Sequence, residues 1–155
     1  MRNRFARSTT AVTAACVAAL AALPAAAAGD AVYHSQHMQL EAVGGAPLLS
    51  GFVENIKANG PTIYAHEVYV LNGAAPRATY TVTNHFFDGP TCAGPATDTD
   101  TAELGTNRAG NARADVFFVP ADVAGSEGVH GVMWTVRNAA DEIVYRTGCS
   151  IVTLD

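Results

Sequence analysis

The chain has 155 residues, with 14 acidic and 9 basic side chains that give a formal net charge of -5 at neutral pH. This length has room for one ordinary domain, and the negative charge disfavours nucleic acid and anionic membranes as partners. We therefore expect a single folded domain that does not bind nucleic acid.

The N-terminus has the pattern of a secretory signal peptide. Three arginines precede an apolar run over residues 11–23, and the small residues 25–28 follow. A basic start, an apolar middle and an A-x-A-like end are typical of export signals. We predict a signal peptide over residues 1–28, with cleavage after Ala28 and with Ala27 and Gly29 as alternative positions. Losing three basic residues and no acidic one brings the net charge to about -8.

The mature chain is expected to be secreted or periplasmic, without a transmembrane anchor. Outside the predicted signal, no apolar stretch approaches the roughly 20 residues that a membrane-spanning helix needs. Of the three cysteines, Cys16 lies within the signal, which leaves Cys92 and Cys149. Two cysteines in an exported domain most often form one disulfide. We predict a Cys92–Cys149 bridge that stabilises the fold by about 4 kcal/mol in the chain-entropy model.

The remaining chain is predicted to consist of short strands. Residues 29–47 show no clear periodicity and are expected to form an extended N-terminal segment before a domain over 48–155. Turn clusters such as Ala58-Asn59-Gly60-Pro61 separate apolar and β-branched runs. The predicted strands cover residues 48–56, 62–71, 78–87, 96–104, 112–119, 129–138 and 142–154. One helical turn is expected over residues 120–124, and residues 105–111 are interpreted as a hairpin connection.

Period-2 alternation predicts which face of a strand is buried. One inward face is predicted to carry Val132, Trp134 and Val136. The last strand, with a bend at Gly148, is expected to place four residues on one side: Ile143, Tyr145, Cys149 and Ile151. Seven or eight such strands without a longer helix favour an all-β, antiparallel β-sandwich over a barrel.

Two segments resemble known sandwich motifs. Residues 71–82, LNGAAPRATYTV, resemble the L-x-G-L-x-P-x-T-x-Y-x-V segment of immunoglobulin-like and fibronectin-III-like bacterial domains. Residues 104–112, LGTNRAGNA, resemble the L-x-T-x-x-x-G-N-G hairpin of uncharacterised exported bacterial proteins. The resemblance implies an immunoglobulin-like sandwich, and it implies no catalytic or binding residue, because both motifs specify turns.

Several residues are candidate metal ligands. Imidazole and thioether groups suit copper, so His34, His37 and Met38 form a candidate copper site. The alternative is a polar segment whose histidines face water. Further donors could come from the other histidines, His66, His85 and His130.

The acidic run Asp98, Asp100 and Glu103 offers oxygen ligands for calcium. It lacks the glycine of a dedicated calcium loop, and the alternative is a solvated acidic strand.

No catalytic motif is complete. His66 and Glu67 resemble the start of a zinc-protease H-E-x-x-H helix, but Val70 replaces the second histidine and the surrounding residues favour a strand. No serine lies within Gly-x-Ser-x-Gly. The preferred hypothesis is a non-catalytic exported module that binds or supports an unidentified protein or envelope component. The alternatives are a secreted or periplasmic copper-binding protein and a small hydrolase whose site only the fold assembles.

Overall fold

The computed structural model describes residues 32–59, 64–123 and 127–154, so the predicted signal peptide lies outside the described residues. These residues form ten strands and one short helix. The strands are β1 (Val32–Gln39), β2 (Glu41–Ala42), β3 (Ser50–Asn59), β4 (Tyr64–Asn72), β5 (Thr79–Phe87), β6 (Ala96–Gly105), β7 (Ala112–Phe118), β8 (Gly128–Asn138), β9 (Ile143–Arg146) and β10 (Ser150–Leu154). The helix α1 (Pro120–Val123) is the expected single turn.

Two antiparallel sheets pack face to face, so the all-β sandwich prediction is confirmed. The first sheet has the order β1-β3-β4-β7. The second has the order β2-β9-β8-β5-β6, and β10 also pairs with β8. Trp134 and Val136 of β8 are fully buried as predicted, together with Tyr69 of β4 and Tyr145 of β9. Their packing between the sheets forms the core of the sandwich.

The structure differs from expectation before residue 48. The segment expected as an extended lead-in supplies β1, which pairs along β3, and β2, which pairs with β9. Between them, the buried Leu40 donates its backbone N–H to the Gly51 carbonyl oxygen at 2.9 Å, where the chain crosses between the sheets. Apolar periodicity is weak there because, of the β1 side chains whose burial is described, only Met38 is buried.

The predicted final strand is two strands. β9 and β10 lie one after the other along β8, separated by residues 147–149. Of the four residues expected on one face, only Tyr145 is buried, while Ile143 and Ile151 are about half exposed. A register shift in the β8–β9 pair and the break at residues 147–149 change the alternation, so β10 buries its even-numbered positions.

Residues 105–111 do not form the expected hairpin, because β6 and β7 belong to different sheets. The connection is a compact crossover turn. The Asn107 side-chain oxygen accepts hydrogen bonds from the backbone N–H groups of Ala109 at 2.8 Å and Asn111 at 3.1 Å. Local turn chemistry is therefore as expected, although the partner strand is not.

The predicted disulfide is present. Cys92 and Cys149 are bonded, with their Cα atoms 5.7 Å apart. The bridge ties the loop after β5 to the break between β9 and β10. Such a bond is typical of proteins that fold in an oxidising compartment. Within the described part of the chain, no helix is long and apolar enough to cross a membrane.

Candidate functional site: a cleft between the sheets

Polar side chains occupy inward positions at one end of the sandwich. Along β3 and β4 the inward alternation that begins with Val53 and Tyr69 continues with Asn55, Lys57 and Glu67. All three polar residues are at least nine-tenths buried. Buried polar groups cost free energy unless they are hydrogen-bonded, so this end of the sandwich differs in kind from the aromatic core.

These residues line a cleft of about 690 Å³ that enters between the sheets, here called the inter-sheet cleft. Its apolar walls come from both sheets and comprise Phe86, Val116, Phe118, Val132, Val152 and Leu154. Exposed side chains surround it, including Asp88, Thr97, Thr99 and Asp122. Its volume and mixed lining are typical of small-molecule sites.

Glu67 lies at the centre of a hydrogen-bond network that joins the two sheets. One carboxylate oxygen accepts from the side-chain amides of Asn55 at 3.0 Å and Asn84 at 3.3 Å. The other accepts from the indole N–H of Trp134 at 3.0 Å and from the hydroxyl of Tyr69. The strand register explains the arrangement, because Asn55 is the cross-strand partner of Glu67, and Asn84 is the partner of Trp134.

The electrostatics of this network combine desolvation with hydrogen bonding. Burial raises the pKa of Glu67 above its ordinary value, and the four donors, led by Tyr69, partly oppose the increase. Burial and the adjacent Glu67 carboxylate also raise the pKa of Tyr69, so this hydroxyl remains a donor. The network therefore holds an acidic group in the protein interior with each of its oxygens doubly hydrogen-bonded.

Two buried acceptors in the lining of the cleft lack a protein partner among the described residues. They are the side-chain oxygen of Asn55 and Nε2 of His130. His130 Nδ1 lies 3.1 Å from the carbonyl oxygen of Phe87, so Nδ1 carries a proton, and in that tautomer of the imidazole Nε2 is an acceptor. An unpaired buried acceptor costs about 1–3 kcal/mol, which a donor group on a ligand would offset.

The structure does not bring the candidate copper ligands together. On β1, His34 and His37 are exposed, and the ring of His37 lies 4.4 Å from that of Phe52 between centroids. Met38 is buried in the core and faces away from its neighbour His37, because successive residues of a strand face opposite sides. Within the described residues, no group of three or more His, Cys, Asp or Glu side chains could hold a metal ion.

The other histidines are also separated. His66 pairs with Asp115 at 3.2 Å on the outer side of the first sheet and stacks on Phe117. His85 lies on the outer side of the second sheet, whereas His130 lines the inter-sheet cleft. The structure therefore assembles no common ligand set from these three side chains.

Two of the three candidate calcium ligands have protein partners. Asp98 accepts from His85 at 2.7 Å, and Asp100 accepts from Arg137 at 2.7 Å. Glu103 lies beyond the register shift in β6. Asp98 and Asp100 belong to a set of side chains on the outer face of the second sheet, here called the outer polar ladder: Thr83, His85, Asp98, Asp100, Thr135 and Arg137.

The outer polar ladder contains a carboxylate, a histidine and a hydroxyl in line. Asp98 contacts Nδ1 of His85 at 2.7 Å, and Nε2 contacts the hydroxyl of Thr135 at 2.8 Å. This is the connectivity of a nucleophile, a base and an orienting acid. In such a set the nucleophile is expected to be accessible and the orienting acid buried. Here Thr135 is only 5% exposed and the Asp98 side chain is 60% exposed, which is the reverse.

The sequence does contain a signal for the cleft, although no motif carries it. Asn55, Glu67 and Asn84 all lie at inward positions of strands whose other inward residues are mainly apolar. The incomplete protease motif gives Glu67 no role. A charged residue in the core phase of a strand is itself the indication of a special site.

Comparisons with protein-family models, with curated proteins and with solved structures found no match to this chain.

Proposed function

We propose that this protein is an exported, non-catalytic β-sandwich that binds a small ligand in the inter-sheet cleft. The observation that carries the proposal is the buried Glu67 network at a cleft whose lining also contains two unpaired acceptors, on Asn55 and His130. Convergent polar groups within apolar walls are the usual composition of a binding site.

Glu67 is an unusual residue for simple core packing. Burying a carboxylate removes it from water, and well-packed apolar side chains often give equal or greater stability at such positions. A carboxyl group at this position therefore argues against simple core packing and supports a role in recognition. Export is supported by the pattern of residues 1–28 and by the Cys92–Cys149 disulfide.

Ligand binding can be followed through the single tryptophan of the chain. Trp134 donates to Glu67, so occupation of the cleft should change its emission and shift the amide NMR signals of the lining residues. We expect a set of small fragments of mixed charge to include binders with dissociation constants near ~1 mM or tighter.

A matched pair of variants locates the binding. Thr99→Phe places an aromatic ring in the lining of the cleft, whereas Thr79→Phe makes the same change at an exposed position outside it. Binding should be lost in the first variant and retained in the second. The proposal is wrong if no fragment perturbs the cleft, or if all binders tolerate Thr99→Phe.

A second candidate function, ester or amide hydrolysis, is favoured by the Asp98–His85–Thr135 alignment. It ranks below binding because the attacking hydroxyl is buried. Hydrolysis of p-nitrophenyl acetate tests it: activity should disappear in His85→Ala and in the near-isosteric Thr135→Val, and persist in His66→Ala. A wild-type rate equal to that of His85→Ala excludes this candidate.

A further inference from the structure

We infer that the inter-sheet cleft takes an organic cation, a protonated amine attached to an apolar body. The inference rests on the proposed function and specifies the class of ligand. Three features of the cleft support it: its charge, its unpaired acceptors and its aromatic walls.

The charge of the lining favours a cation. Three carboxyl side chains, Glu67, Asp88 and Asp122, line the cleft, against one basic side chain, Lys57. The Lys57 ammonium is already a donor to the backbone carbonyl of Thr153 at 3.4 Å. A cleft with an excess of acidic groups raises the local concentration of cations.

The orientation of the Asn55 amide adds a specific hydrogen-bond requirement. Its nitrogen donates to Glu67, and turning the amide over would place its oxygen against that carboxylate. The oxygen therefore faces away from Glu67, and among the described residues no donor reaches it. An ammonium group carries three donors and no acceptor.

The position of this acceptor also favours positive charge. The oxygen and nitrogen of the Asn55 amide share one carbon, so a donor bound to the oxygen lies within roughly 8 Å of the Glu67 carboxyl group, given ordinary hydrogen-bond lengths. Nε2 of His130 is the second unpaired acceptor in the lining. A ligand anion could not bond to the Asn55 oxygen and would be repelled by the carboxylates.

The walls suit the apolar part of the ligand. Phe86 and Phe118 line the cleft, and the ring of Phe86 packs against that of His130 with centroids 4.3 Å apart. Aromatic faces attract organic cations when water is excluded. A phenyl or alkyl body therefore gains apolar contact beside the acceptors.

Three probes that share a phenyl group test the charge preference. They are 2-phenylethylamine, 3-phenylpropionate and 2-phenylethanol, which are cationic, anionic and neutral near pH 7. Each is titrated into the exported, disulfide-bonded protein and followed by Trp134 emission and amide shifts of the cleft lining. We expect the amine to bind about tenfold more tightly than the acid, as ~1.4 kcal/mol of favourable charge interaction implies.

Two variants with the same charge change separate local from overall electrostatics. Asp88→Asn removes a carboxylate from the cleft lining, and Glu103→Gln removes an exposed one outside it. Asp88→Asn should reduce the preference for the amine by about two- to fivefold, which is typical of one partly solvated charge. Glu103→Gln should leave the preference unchanged.

The outcomes distinguish this inference from the proposed function. Acid or alcohol binding in the cleft as tightly as the amine overturns the inference and leaves ligand binding intact. An amine preference that Asp88→Asn and Glu103→Gln reduce equally also overturns it, because the effect is then one of net charge. If none of the three probes nor any fragment perturbs the cleft, the proposed function fails as well.

Discussion

At the scale of single residues, Glu67 dominates the chemistry of the molecule. Its neighbour on the inward face of β4, Tyr69, belongs to the core and donates to it. Three further donors, on β3, β5 and β8, connect Glu67 to those strands. Because the carboxylate is desolvated, its ionisation and the folding equilibrium are linked.

The stability of the protein should therefore fall as pH rises through the titration of Glu67. Burial raises the folded-state pKa above the ordinary value of 4.5, so the folded state binds a proton more tightly than the unfolded state does. Between these two pKa values the free energy of unfolding decreases with pH, by up to about 1.4 kcal/mol per unit for one proton.

The measurement is urea denaturation at a series of pH values, for the wild type and for Glu67→Gln. The variant should be destabilised, by about 1–3 kcal/mol, because its amide nitrogen faces other donors. Its stability should also lose the pH dependence that Glu67 causes. The hydrogen-bonded carboxyls of Asp100 and Asp115 have pKa values lowered from the ordinary 3.8. Their contribution to the free energy of unfolding therefore changes with pH below this value, and it is the same in the two proteins. Identical pH profiles would contradict this interpretation.

At the scale of elements, the loop that carries Cys92 is fixed against β8 by close backbone packing. Gly131 donates its N–H to the carbonyl of Gly89 at 2.7 Å, and a Cβ at Gly131 would lie 2.6 Å from the backbone carbonyl of Thr91. Backbone atoms cannot move aside as a flexible side chain can. Gly131→Ala should therefore displace the loop and destabilise the fold by about 1–3 kcal/mol.

Thermal unfolding measures this effect, with Gly105→Ala as the control because a Cβ there meets no atom within 4 Å. If Gly131→Ala is no more destabilising than Gly105→Ala, the close packing of the loop on β8 is not the reason for glycine at this position.

The disulfide should stabilise the same region of the molecule. Cys92 and Cys149 are separated by 57 positions, so the bridge restricts a long loop of the unfolded chain. Replacing both cysteines with serine should lower the free energy of unfolding by about 4 kcal/mol. Reductant should destabilise the wild type by a similar amount and leave the double variant unchanged. A loss below ~1 kcal/mol would show that the unfolded chain is already restricted without the bridge.

At the scale of the whole molecule, local patterns predicted much of the fold and little of the site. The alternation of apolar and polar residues was sufficient to predict β5 and β8, because each strand has one face in the core. The position of β1 was missed since an edge strand with a mainly polar sequence carries a weak signal. The cleft was missed because Asn84 belongs to the opposite sheet from Asn55 and Glu67, and only the facing of the two sheets brings its amide to the Glu67 carboxyl.

The crossover between β6 and β7 shows the same limit. The turn sequence specified its local hydrogen bonds, but whether the next strand pairs or changes sheets is decided by packing between distant elements. The immunoglobulin-like resemblance remains a prediction, because its two motifs describe turns of this kind.

The two ends of the sandwich should differ in their opening free energy. Val82 pairs with Val136 beside the aromatic core, and Phe86 pairs with Val132 at the cleft, on the same two strands. Because the cleft end has less side-chain packing between its sheets, its amides should exchange through a partial opening that costs at least about 1 kcal/mol less than global unfolding. Native-state hydrogen exchange in low urea compares the two pairs directly.

A bound ligand should remove this difference. Binding stabilises the closed state by RT ln(1 + [L]/Kd), so a probe at about ten times its dissociation constant should add ~1.4 kcal/mol to the protection of the Phe86–Val132 pair. Thr99→Phe should raise the protection of that pair without any ligand, because its ring packs in the cleft. Equal protection of both pairs in the free protein would mean that the cleft end is as tightly packed as the core, and that ligand entry does not proceed through its opening.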